Sequence, residues 1–99
     1  MNDLEICKRI AEIENKGDCF SWFNTFAIRT EMYAEREEYN PLTDDALCFQ
    51  LMVKYEICLR KDMGAVPWVC TNNKIQGYLS RDSSPNKAIC LAIIEANKI

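Results

Sequence analysis

A chain of 99 residues with 48% hydrophobic side chains suits one domain with its own core, and three glycines and three prolines argue against disorder. Histidine is absent, which excludes Ser-His-Asp and Cys-His catalytic arrangements and removes the usual companion of cysteine in zinc sites. A formal net charge of −3 argues against general nucleic-acid binding.

The first predicted element is an amphipathic helix over about 3–16. Asn2 is placed to cap it, Glu5 stands three residues on, and Ile6, Ile10 and Ile13 recur at helical spacing. Gly17 supplies a stop. Residues 19–28 leave two readings open. Phe20, Trp22, Phe26 and Ile28 share a strand face and the composition is aromatic and β-branched, whereas Phe20, Phe23 and Ala27 also align on a helix. The polar stretch 30–39 reads as a short exposed helix or a charged loop.

Pro41 disfavours a helical conformation at Asn40, and Thr43 then reads as the N-cap of a helix over about 43–54, with Asp44 and Asp45 favoured at its positive end. Between Ala46 and Val53 only Gln50 is polar, so this helix is expected to be buried on most sides and to organise the fold. At Tyr55 the period changes to two, predicting a strand at about 55–60. Further strands follow at about 66–71, placed at a sheet edge because of Pro67, and at about 75–79 after an Asn72-Asn73 turn. Ser84 and Pro85 open the last helix, about 85–96, in which Ala88 to Ile94 is unbroken apolar sequence. The fold class is therefore α+β: a single domain over residues 1–99, with three helices packed on a small antiparallel sheet that 19–28 joins in its strand reading.

Six cysteines are scattered without a Cys-x-x-Cys pair, which predicts core thiols and neither a metal site nor a disulfide framework. The glycines at 17, 64 and 77 form no phosphate-binding loop, so no catalytic residue, metal or cofactor is assigned. The acidic start Met1-Asn2-Asp3-Leu4-Glu5 and the lack of a long apolar run predict a cytoplasmic protein without a membrane segment.

The helix around Glu5-Ile6-Cys7-Lys8-Arg9-Ile10-Ala11, Tyr39-Asn40-Pro41 before Asp44-Asp45-Ala46, Lys54-Tyr55-Glu56-Ile57 entering a strand, and Ser84-Pro85-Asn86-Lys87-Ala88-Ile89-Cys90 opening an apolar helix form a pattern. It resembles the NinX-like proteins of lambdoid phages and prophages, a small domain of unknown function. The likeness spans nearly the whole chain and is weakest over 18–38, and the last helix opens on Ser-Pro-Asn where the family commonly has a simpler Asn-Pro. Its motifs are structural punctuation, so no functional residue is carried over. The resemblance implies a phage accessory protein acting inside a bacterial host.

Candidate sites rest on composition. Phe20, Trp22 and Phe23 form an aromatic surplus suited to a partner-binding patch, beside the plainer reading that they fill the core. Glu31, Glu35, Glu37 and Glu38 belong to an acidic cluster that could imitate nucleic-acid phosphates in the groove of a host protein; the plainer reading is a solvated face. The leading expectation is a non-enzymatic module that binds and modulates a host or phage protein, including inhibition of a host defence system. The alternative is a nucleic-acid-associated replication or recombination accessory that uses the bases between 54 and 87, where residues 46–99 hold 4 acidic and 7 basic side chains. A homodimer through the aromatic strand is compatible with either.

Overall fold

In the computed structural model, which describes residues 1–29, 36–72 and 75–98, the order is α1 (Asp3–Ile13), β1 (Asp18–Trp22), β2 (Thr25–Arg29), β3 (Glu37–Glu38), α2 (Asp45–Lys54), β4 (Ile57–Lys61), β5 (Trp68–Asn72), β6 (Ile75–Asp82) and α3 (Pro85–Ala96). The α+β class holds, with two antiparallel sheets in place of one. Sheet one runs β1-β2-β3 and sheet two β4-β5-β6.

Asn2 caps α1 by accepting the Glu5 N–H at 2.8 Å, and Ile6, Cys7, Ile10 and Ala11 form the buried stripe. The helix ends before the expected residue 16. Asn15 takes a left-handed φ of 57°, its N–H donates to Glu12 at 3.1 Å, and the Lys16 N–H donates to Ala11 at 2.8 Å. That is a Schellman closure, made by asparagine two residues before the glycine that signals it in the sequence.

Residues 19–28 form a hairpin, so the strand reading holds with a turn inside it. Phe23 and Asn24 have φ of 45° and 64°, the double left-handed geometry of a type I′ turn, and the Thr25 hydroxyl donates to the Trp22 carbonyl at 2.7 Å. Cys19 and Ile28 are register partners, and both are buried on the face that meets α1. Glu37 and Glu38 pair with β2 as a short third strand, which corrects the helix-or-loop expectation for that end of 30–39; residues 30–35 lie outside the described residues.

Asp44, not Thr43, caps α2: its backbone is extended and its carboxylate accepts the Leu47 N–H at 3.1 Å. The upstream turn is fixed by Asn40, whose side chain accepts the Leu42 N–H and whose carbonyl accepts those of Thr43 and Asp44. The expected deep burial of α2 does not hold. Only Cys48 and Leu51 are buried, while Phe49 and Val53 are 61% and 60% exposed. The helix lies against α3 and β4 on one side, and among the described residues no other element packs on it.

The meander β4-β5-β6 forms near the expected spans, but β5 is its middle strand. Pro67 immediately precedes β5, so its missing N–H interrupts no ladder, and its carbonyl accepts the Asp62 N–H. Ser84 caps α3, Pro85 sits in its first turn, and Ala88, Ile89, Cys90, Ala92, Ile93 and Ile94 are buried. This helix touches α1, α2 and all three strands of sheet two. The organising element is α3, whose apolar run from Ala88 to Ile94 is buried except at half-buried Leu91. Cys7, Cys19, Cys48, Cys70 and Cys90 are buried free thiols, and Cys58 is exposed on β4. Burial pushes the Cys7 thiol up to about 12 and that of Cys70 up to about 11, so both are neutral at physiological pH.

Candidate functional site

Paired residues of an antiparallel ladder share a face, so the register assigns the two sides of sheet one. One side carries Cys19 and Ile28 onto α1. The other carries Asp18, Phe20 and Trp22 opposite Arg29, Ala27 and Thr25, with Glu38 beside Ala27. Among the described residues no helix covers this outer side. A solvent-facing sheet surface is ordinarily polar, yet this one is built around two aromatic rings.

Arginines order those rings. The Arg36 guanidinium lies 4.8 Å from the Trp22 ring centroid and 6.0 Å from that of Phe20, and Arg29 lies 5.9 Å from Phe20. Such contacts are worth roughly 0.5–1 kcal/mol each at exposed sites, enough to bias rotamers. Among the described residues neither guanidinium has an ion-pair partner, so their N–H groups remain available.

At the tip, Phe23 is 83% exposed and packs on Trp22 with centroids 5.0 Å apart. Type I′ turns favour Asn or Gly at both central positions, because a left-handed backbone costs other residues about 1–2 kcal/mol. Phenylalanine in that position is unfavourable for the backbone and gains nothing from burial. Conformational strain and a bare aromatic ring thus coincide at the tip.

The structure thus brings Phe20, Trp22 and Phe23 together. Glu38 shares their face across β2, Glu37 lies on the opposite one, and Glu31 and Glu35 lie outside the described residues. Sequence reasoning missed Arg29 and Arg36. The signal was cross-strand: once a turn is set at 23–24, Arg29 falls on the aromatic face.

The described bases of 54–87 are engaged elsewhere, and Lys74 lies outside the described residues. Lys54 pairs with Glu14 at 2.7 Å, Arg60 and Arg81 both reach Asp62, and Lys87 reaches Asp3. Lys61 and Arg81 lie over the rings of Trp68 and Tyr78.

One inner polar cluster has a perturbed protonation state. Burial acts to raise the Glu14 pKa, but hydrogen bonds from Lys54 and the Tyr55 hydroxyl outweigh it and leave the carboxylate below its ordinary value. Burial and the same bond push Tyr55 up to about 12. Lys54 and the Tyr55 hydroxyl both donate to Glu14 Oε2, so the cluster clamps the end of α1 to the end of α2. Among the described residues no group of three or more His, Cys, Asp or Glu could hold a metal, and no helix is long and apolar enough to cross a membrane. No family model matches the chain, and neither a curated protein nor a solved structure matches it.

Proposed function

We propose that this chain is a non-enzymatic interaction module that docks on a partner protein through the outer face and tip of the β1–β2 hairpin. The observation that carries the proposal is Phe23, 83% exposed at a left-handed backbone position, with Trp22 beside it under Arg36. Aromatic and arginine side chains are the commonest interface anchors, and a tip already held by the ladder loses little entropy on docking. The likeness to NinX-like proteins supports a phage or prophage accessory role in the bacterial cytoplasm, where the partner is a host or phage protein and a defence component is one such target. The nucleic-acid alternative is not favoured, because Lys54, Arg60, Arg81 and Lys87 already have acidic partners within the fold.

The test is affinity capture from bacterial lysate with a photo-reactive group placed at Thr25, next to the tip. Wild-type protein is expected to cross-link one specific partner, and Trp22→Ala and Phe23→Ala are each expected to weaken capture tenfold or more, about 1.4 kcal/mol or above. Equal capture by the folded variants would rule out the hairpin as the docking element.

A further inference from the structure

We propose that a second copy of this chain pairs with the free edge of β1, joining two three-stranded sheets into one continuous sheet about a two-fold axis through Phe20. The inference is independent of what the hairpin tip binds.

The order β1-β2-β3 leaves β1 at an edge. A two-residue type I′ turn is closed by a hydrogen-bonded pair, here Trp22 with Thr25. By alternation Phe20 and Asp18 also bond to β2, so Cys19 and Ser21 aim their N–H and C=O groups away from the hairpin. Among the described residues no other backbone group takes them up. Natural edges are blunted by Lys, Pro or a bulge; β1 reads Asp-Cys-Phe-Ser-Trp with an unbroken register and has none of these. Nor does α1 close the edge, since a cleft of about 280 Å³ lies there, lined by Lys8, Glu12, Gly17, Asp18 and Cys19.

Self-complementarity identifies the occupant. With the axis at Phe20, Cys19 of each copy faces Ser21 of the other, so the outward groups exchange bonds in register. Phe20 meets its own copy in a non-hydrogen-bonded pair, the closer kind, on the outer face. Asp18 then faces the second copy's Trp22, which carries Arg36 at 4.8 Å from its ring. The symmetry repeats that acid–base meeting at the other end. An isologous contact of this sort needs one patch to satisfy itself, and β1 does so with Phe20 at its middle, Asp18 at one end and, over Trp22 at the other, the Arg36 guanidinium.

Sedimentation equilibrium on the full chain tests it. The weight-average mass is expected to rise from 11.5 kDa towards twice that between about 1 µM and about 1 mM. Ser21→Pro removes an outward N–H without touching the β1–β2 ladder and should hold the protein monomeric. Asp18→Arg should weaken association tenfold or more, and Asp18→Arg combined with Arg36→Asp should recover it. Should the proline variant fail to fold, a cross-link decides: Phe20→Cys in a Cys58→Ser background, with glutathione disulfide as oxidant. Two thiols lose two protons and two electrons to one glutathione disulfide, giving one inter-chain S–S bond and two glutathione thiols. A linked dimer is expected for Phe20→Cys and none for Thr25→Cys, one strand further in. Phe23→Gly should abolish partner capture and leave the mass profile unchanged, so failure of either proposal is distinguishable from failure of the other. A wild-type chain monomeric throughout, a dimer indifferent to Asp18→Arg, or no recovery in the double variant overturns the inference, as does a different protein strand seated on β1 of a monomer.

Discussion

Phe23 is held in a conformation that its side chain disfavours, and the hairpin around it supplies the compensation. Replacing Phe23-Asn24 by Asn-Gly, the sequence a type I′ turn prefers, should stabilise the fold by about 1–2 kcal/mol. For a domain of this size that is a rise in Tm of roughly 4–8 °C per kcal/mol, measured by thermal circular dichroism. The same variant should lose partner capture, and a change that raises Tm while abolishing binding is the signature of a tip kept for contact. Glu14 is the second residue with a distinct outcome. Its folded pKa lies below the ordinary value of 4.5, so its contribution is complete above that pH and is lost as pH falls through the lowered folded value. Glu14→Gln should cost about 1–3 kcal/mol at pH 7 in urea unfolding, and should flatten the acid limb of the stability profile. Neither role was legible beforehand. The aromatic surplus of 19–28 was visible, but the turn that exposes Phe23 carries no glycine, and Glu14 meets Lys54 and Tyr55 only after 40 residues of intervening chain.

The elements divide by whether their signal is local. Caps are local, and those of α1 and α3 lie where Asn2 and Ser84 predict. An unbroken apolar run is different, because without periodicity it states that a helix is hydrophobic without stating which sides are covered. Residues 46–53, polar only at Gln50, and the unbroken 88–94 look nearly alike, yet the second run is enclosed and the first is covered on one flank. Burial follows from where a helix lies among its neighbours, which is non-local information. The contrast is measurable: Leu51→Ala should cost about 2–5 kcal/mol, whereas Phe49→Ser should change stability by no more than about 0.5 kcal/mol. Chemical denaturation of both variants checks it, and a large loss at Phe49 would mean that α2 is covered in solution.

Across the whole molecule, α3 lies against both other helices and sheet two, and α1 lies under sheet one, so one core spans both sheets. The α+β class was legible because it depends on the order of elements. The division into two sheets was not, since the short pairing of Glu37 and Glu38 with β2 leaves no trace in composition. The thiols report on this shared core. An alkylating reagent at neutral pH should add one group to the native protein, at Cys58, and six after denaturation, read by mass spectrometry. Additional native adducts at Cys48 or Cys90 would show that α2 and α3 separate readily.

The chain has two tryptophans, and the fold has placed one on each sheet: Trp22 on β1 and Trp68 on β5. The first faces water beneath an arginine and the second is half-buried beside Lys61, so their emission colours differ and single Trp→Phe variants isolate each lamp. Because the sheets share a core and not a ladder, coincidence of the two fluorescence melts is the direct measure of whether the contacts between them make them fold as one unit. If the Trp22 curve precedes the Trp68 curve, the hairpin is a separately released arm.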